Sequence, residues 1–284
     1  MHIYFEQLHT VSFTLVIINE VVFEFSFQLL CRFHPFLTME TFRNPPITEA
    51  LIDIRAELPA GIELSHLEKL HEEIKSQYPT KKLRNRWEGM VEFKEGQAPT
   101  SEAKDLGPDG VLFWSADEKQ LVQYRLDGFT FNRLRPYKAW DLMKAEAQPL
   151  WDIYVGRIVP IQVTRLALRY INSIEIPEKL FELEDYLVEP PRIPKGLSQA
   201  IEQFLSRVVI GFPEFDAKAI ITQAPQPSKN PNVTSILFDL DVSRSVNLAP
   251  RSQDIWVILS KLRELKNMIF DKYITEKTKE LFRQ

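Results

Sequence analysis

Four stretches of this chain alternate apolar and charged side chains with a period of two, and that alternation limits the possible folds more than any other feature. In ITEALIDIRAEL, residues 47–58, Ala50, Ile52, Ile54 and Ala56 fall on one side and Glu49, Asp53, Arg55 and Glu57 on the other. VTRLALRYINSI, residues 163–174, sets Arg165 and Arg169 opposite Leu166, Leu168 and Tyr170. At 121–127, Gln123, Arg125 and Asp127 oppose Val122, Tyr124 and Leu126, and in SILFDLDVSR Asp239 and Asp241 oppose Ile236, Phe238, Leu240 and Val242. Successive side chains of a strand leave opposite faces of its sheet, so each stretch predicts a half-buried strand. If the apolar sides pack on helices, the charged residues gather on the far face.

Helices are expected between these strands. One is predicted at about 65–78, with Ser65 as N-cap, Glu68 completing a capping box, and Leu67, Leu70 and Ile74 as its stripe. Another fits 138–156, where Trp140, Met143, Ala147, Leu150, Trp151 and Tyr154 recur at helical spacing around Pro149, which should kink it. A weaker helix is expected at 197–209 and a long one at about 253–281, with further strands near 83–94, 111–115, 120–134, 216–224 and 233–243. The second half repeats the order of the first, and FDKY at 270–273 echoes WDIY at 151–154. The expected fold is therefore α+β, a curved antiparallel sheet with helices packed on one face. An internal duplication of a β-α-β-β-α unit, with half-repeats 45–158 and 161–281, competes with chance likeness between amphipathic helices. The connections EPPRIP (189–194) and APQPSKNPN (224–232) are proline-rich, the second a hairpin loop.

Composition excludes several chemistries. Thirty-five basic and thirty-nine acidic residues leave a net charge of -4, so no global field draws the protein onto nucleic acid or anionic lipid. Cys31 is the only cysteine, which excludes an intrachain disulfide framework and suits a reducing, cytoplasmic setting. No histidine follows His71, and His66 and His71 are five apart, off the i, i+4 ligand spacing, so both read as surface residues. A Ser-His-Asp or Cys-His apparatus does not fit this distribution. Nine scattered glycines form neither a P-loop nor a dinucleotide turn.

Residues 1–38 differ from the rest of the chain: they hold seven of the nineteen Phe, three of the five His, the only Cys and no Lys. As a membrane helix this segment would bury Glu20 and Glu24, each costing about 2.5–3.5 kcal/mol at the bilayer centre. As a signal peptide it lacks a basic start and a small-residue cleavage site. The expectation is a non-native extension ahead of a true start at Met39, followed by a single α+β domain over 39–284; the alternative is a hydrophobic arm that pairs with a partner.

The charged strand faces supply the candidate site. Arg55, Arg125, Arg165 and Arg169 could grip an anion bidentately. Asp239 and Asp241 could hold a divalent cation, Mg²⁺ or Mn²⁺, although opposite charges on neighbouring strands also pair simply across an exposed sheet. A second cluster, RLDGFTFNRLRPYKAWD at 125–141, interleaves Phe129, Phe131, Tyr137 and Trp140 with Arg133 and Arg135, as nucleobase stacking or a protein anchor would require. Here Phe129 and Phe131 also read as core residues of one strand.

NPPITEA near the start, GFTFNRLRPYKAW, LRYIN at 168–172, DYLVEPP at 185–191 and FDLDV at 238–242 resemble, in that order, a sporadically distributed family of bacterial proteins of unknown function. The resemblance covers about residues 43–284, and its members begin close to the NPPI element. The resemblance implies no reaction, cofactor or catalytic residue; Asn172, on the strand at 163–174, joins the candidate ligand-binding residues. The family's patchy occurrence resembles that of mobile accessory genes and fits a partner-binding or defence-associated role.

Three functions are compatible with these residues. The leading one is a non-enzymatic cytoplasmic binding protein without cofactor, whose charged sheet face engages a protein partner or small anionic ligand. The alternative is a metal-dependent phosphohydrolase or nucleotidyl-type enzyme with Asp239 and Asp241 on the metal and the arginines on phosphoryl groups. The third is single-stranded nucleic-acid binding through the aromatic and arginine segment, which the acidic balance opposes.

Overall fold

The computed structural model describes residues 40, 42–92, 100–178, 181–192 and 203–284, with side chains omitted at 87–92 and 100–104. The expectations for residues 1–38 lie outside the described residues, as does the 197–202 part of the expected weak helix. The chain divides into two compact units, one of residues 41–83 and 109–284, the other of residues 1–40 and 84–108. The helix-covered core and the charged sheet face both belong to the larger unit.

In chain order the elements are β1 (Ile47–Glu57), α1 (Leu64–Lys69), α2 (His71–Ile74), β2 (Thr80–Glu92), β3 (Thr100–Trp114), β4 (Gln120–Arg125), β5 (Gly128–Leu134) and α3 (Trp140–Ile158). After α3 come β6 (Gln162–Ile176), β7 (Ser206–Phe212), β8 (Ala217–Gln226), β9 (Thr234–Leu248), α4 (Asp254–Tyr273) and α5 (Glu276–Arg283). The strands form one open, antiparallel, curved sheet in the order β2-β3-β4-β5-β1-β6-β9-β8-β7. The fold is α+β. Outward from the central β1/β6 pair, each side begins with the last strand of its own half, β5 on one side and β9 on the other.

Strand parity sorts the two faces as the alternation predicts. Ile52 faces Leu168 and Phe131, and Ile54 faces Leu166 and Phe129; all are fully buried. Burying such a side chain contributes about 1.5–3 kcal/mol, so this face carries the core. Helices cover it: Trp151 of α3 lies 5.8 Å from Phe129 of β5, and Phe270 of α4 stacks 5.8 Å from Phe238 of β9. The WDIY and FDKY segments thus occupy corresponding places in the two halves.

Several local expectations are corrected. Helix α1 starts after Glu63 rather than at Ser65, because Glu63 and His66 cap each other, with the Glu63 N–H donating to His66 Nδ1 at 3.1 Å. Glu68 instead accepts from Lys81 at 2.8 Å. His71 is half-buried rather than a surface residue, stacked 5.1 Å from Phe113 with Nε2 2.9 Å from the Tyr78 carbonyl. Residues 206–209, expected at the end of a helix, open strand β7, where the Val208-Val209-Ile210 run suits extended backbone. The long C-terminal helix breaks at Ile274 and Thr275, because Thr275 caps α5 through its side chain, accepting from the Thr278 N–H. The apparent strand at 120–134 is a hairpin, turning at Leu126 and Asp127. Among the described residues no helix is long and apolar enough to cross a membrane.

Candidate functional site: an arginine network on the open face

The face opposite the helices collects charged residues of β4, β1, β6 and β9, with β5 lying between β4 and β1. Register sets Asp53 of β1 beside Thr130 of β5 and Ala167 of β6, and Arg55 beside Gly128 and Arg165. Three arginines converge on Asp53: Arg125 Nη2 at 2.8 Å, Arg165 Nη1 at 3.1 Å and Arg55 Nε at 3.3 Å. Thr130 donates its hydroxyl to the same carboxylate at 2.9 Å. Burial pushes the Asp53 carboxyl up, but Arg125, Arg55 and Arg165 outweigh it and hold the group well below the usual carboxylate range. Asp127, in the turn after β4, pairs with Arg55 and lies 3.1 Å from Arg125 Nε.

Arg125 has room because its neighbours on both adjacent strands are glycines. Gly110 of β3 and Gly128 of β5 both face it in register. A Cβ at Gly110 would sit 3.0 Å from Arg125 Cγ and 2.8 Å from the Tyr124 carbonyl oxygen. Gly128 has φ +140°, and a Cβ there would meet the Ile54 carbonyl oxygen at 2.1 Å, so no other residue fits. Arg125 Nε and Nη2 sit at ion-pair distance from Asp127 and Asp53 without an aligned hydrogen bond to either. Attraction at short range, rather than hydrogen-bond geometry, holds this guanidinium.

A second pairing lies toward β9. Arg169 Nε and Nη2 donate to both oxygens of Asp239, at 2.9 and 2.7 Å in the closest contacts, a bidentate fork. Burial works against the Arg169 charge, but the hydrogen bond and charge of Asp239 raise its pKa overall. Asp241 lies 3.5 Å from Arg165 Nη2, and burial, against the pull of Arg165 and Arg169, pushes its carboxyl up. Glu49 closes the row: burial raises its pKa, and Asn132 donates to it at 2.5 Å while accepting from Gln123 at 3.0 Å.

Four candidate residues therefore share this face: Arg55, Arg125, Arg165 and Arg169. The other three lie on the helix side. Asn172 is buried there and donates to the main-chain oxygens of Phe238 and Tyr170. Arg133 pairs with Glu146 of α3 at 3.3 Å, and Tyr137 shares a hydroxyl contact of 3.1 Å with Tyr170. Phe129 and Phe131 are fully buried, which removes them as a stacking platform for nucleobases. For the metal reading, Asp239 is occupied by Arg169 and Asp241 lies against Arg165; among the described residues no group of three or more His, Cys, Asp or Glu side chains gathers. Sequence reasoning missed Thr130 and Asn132, which bridge β5 to Asp53 and Glu49. Their signal was present in GFTFNRL, where they alternate with Phe129 and Phe131.

No family model matches the chain, and no curated protein matches it.

Proposed function

We propose that the protein is a non-enzymatic cytoplasmic binding protein that engages an anionic surface of a protein partner through its arginine-bearing sheet face. One observation carries this reading: at the centre of that face Asp53 and Asp239 lie deeper than Arg55, Arg165 and Arg169. Asp53 and Asp239 side chains are 17% and 10% exposed, whereas Arg55, Arg165 and Arg169 are 28%, 32% and 38% exposed. Around this pair of carboxylates the flanking guanidiniums are the more exposed groups, while at the β4 end the order reverses, with Asp127 45% and Arg125 4% exposed. Each guanidinium has five donors, and the carboxylates beneath accept only some of them. The acids thus fix the arginines in place, so less side-chain entropy is lost when a partner binds. The single cysteine, suited to a reducing compartment, supports the cytoplasmic assignment.

The test is charge reversal. The double variant Arg165→Glu, Arg169→Glu should lose capture of a host partner by the immobilised protein, while far-UV circular dichroism stays native. Native-like capture by that folded variant would sink the proposal. Capture replaced by a melting-temperature response to small polyanions would redirect it to a small ligand on the same face.

A further inference from the structure

Where β1 begins and β5 ends, a cavity of about 560 Å³ opens between segments that the arginine network does not use. Its size lies within the range of small-molecule sites, about 300–1,000 Å³. Three stretches singled out in the sequence meet there: NPPI at 44–47, Arg135 to Tyr137 of GFTFNRLRPYKAW, and the strand end just after LRYIN. Pro45, Pro46 and Pro136 form much of the wall. Proline has no N–H, so recognition there falls to side chains.

Most of those side chains are committed to the protein. Tyr137 is tied to Tyr170. The Ser173 hydroxyl lies 2.8 Å from that of Ser235 and accepts from Gln226 at 2.6 Å. The Asn44 side chain donates to the main-chain oxygen of Gln284, and its N–H to Phe282 at 2.9 Å. Three charged lining residues are not committed. Among the described residues, the side chains of Arg43, Arg135 and Glu175 make no hydrogen bond or ion pair, and all three are exposed. Two open guanidiniums and one open carboxylate side chain therefore line one cavity.

We infer that this cavity binds a small molecule carrying a phosphate or carboxylate together with an ammonium or hydroxyl donor. Arg43 and Arg135 take the oxyanion through paired N–H donors, a geometry that suits phosphate and carboxylate alike. Glu175 accepts from the donor at the other end of the ligand. The site shares no residue with the sheet-face network, so the two proposals stand or fall separately.

The experiment uses the full chain with O-phosphoserine, glutamate, inorganic phosphate and, as a neutral control, glycerol. O-phosphoserine or glutamate should raise the melting temperature in a saturable way, by about 5–10 °C at a hundred times Kd. Which of them acts distinguishes phosphate from carboxylate recognition. The shift should vanish in Arg43→Ala, Arg135→Ala and persist in Arg165→Glu, Arg169→Glu. Should the cavity double variant unfold, Arg135→Lys alone tests the same point, because an ammonium cannot reproduce the fork. Glu175→Gln should weaken O-phosphoserine about tenfold while leaving inorganic phosphate unchanged. No response to either anion, or a shift that survives loss of both arginines, overturns the inference.

Discussion

Arg125 and Lys266 are buried to a similar degree, 3% and 8% exposed, on opposite faces of the same sheet. Arg125 sits between two carboxylates. Lys266, on α4, has neither an ion pair nor a hydrogen bond among the described residues; its ammonium lies 4.0 Å above the Tyr170 ring. Burial, with a smaller push from Arg263, lowers its pKa to about 7. The difference follows from strand parity. On the open face, alternation delivers acids and bases from neighbouring strands to the same place. On the helix face it delivers mainly apolar residues, and Lys266, brought in by a helix, meets the Tyr170 ring and, at 6.0 Å, the Phe270 ring. Arg43 and Arg135 form a third case: they sit outside the strands, where parity supplies no partner, and water solvates them.

The largest effect expected from this contrast comes from Asp53→Ala. It removes the acceptor shared by three arginines and should cost about 3–5 kcal/mol, read by urea unfolding. A loss below about 1 kcal/mol would mean that the network is not what holds those charges. The folded-state pKa of Asp53 is lowered from 3.8. Its contribution is therefore complete above that unfolded value and declines as the pH drops further, so wild type and variant should converge in acid.

Lys266→Met should act in the opposite direction, with a smaller effect. With its pKa lowered from 10.5 to about 7, the unfolded chain holds a proton that the folded chain lacks throughout that window. Stability should therefore rise with pH, by about 2 kcal/mol between pH 7 and 9, and the Met variant should lack this rise. Equal slopes would place a counter-charge beside Lys266. The smallest effect belongs to the cavity: Arg43→Ala and Arg135→Ala should each change stability by less than about 0.5 kcal/mol, measured without ligand.

The alternation of Ile52, Ile54, Leu166 and Phe238 made the strands and the composition of the open face legible in the sequence. It did so because parity is a local property of extended backbone. Pairing partners were not legible. That Asp53, rather than Asp239, receives three arginines depends on β1 lying between β5 and β6, a matter of topology. Asn172 and Arg133 belong to stretches with a candidate-site pattern, but their own parity points them to the helix side. Reading the segments residue by residue, rather than as clusters, would have separated them. The 206–212 strand was hidden for a different reason, since short apolar runs carry no distinct period.

The position of β1 also bears on how the chain is made. Its partner β5 is complete at residue 134, but its other partner, β6, begins only at residue 162. During synthesis the first half can thus assemble while one long edge of β1 waits for its neighbour. Unpaired edges recruit other chains. Glu49, Asp53, Arg55 and Glu57 stand along that waiting edge, and charge is the feature by which sheet edges avoid such recruitment. Asp53, which later holds three arginines, would with its charged neighbours first serve to keep a half-made molecule from joining others.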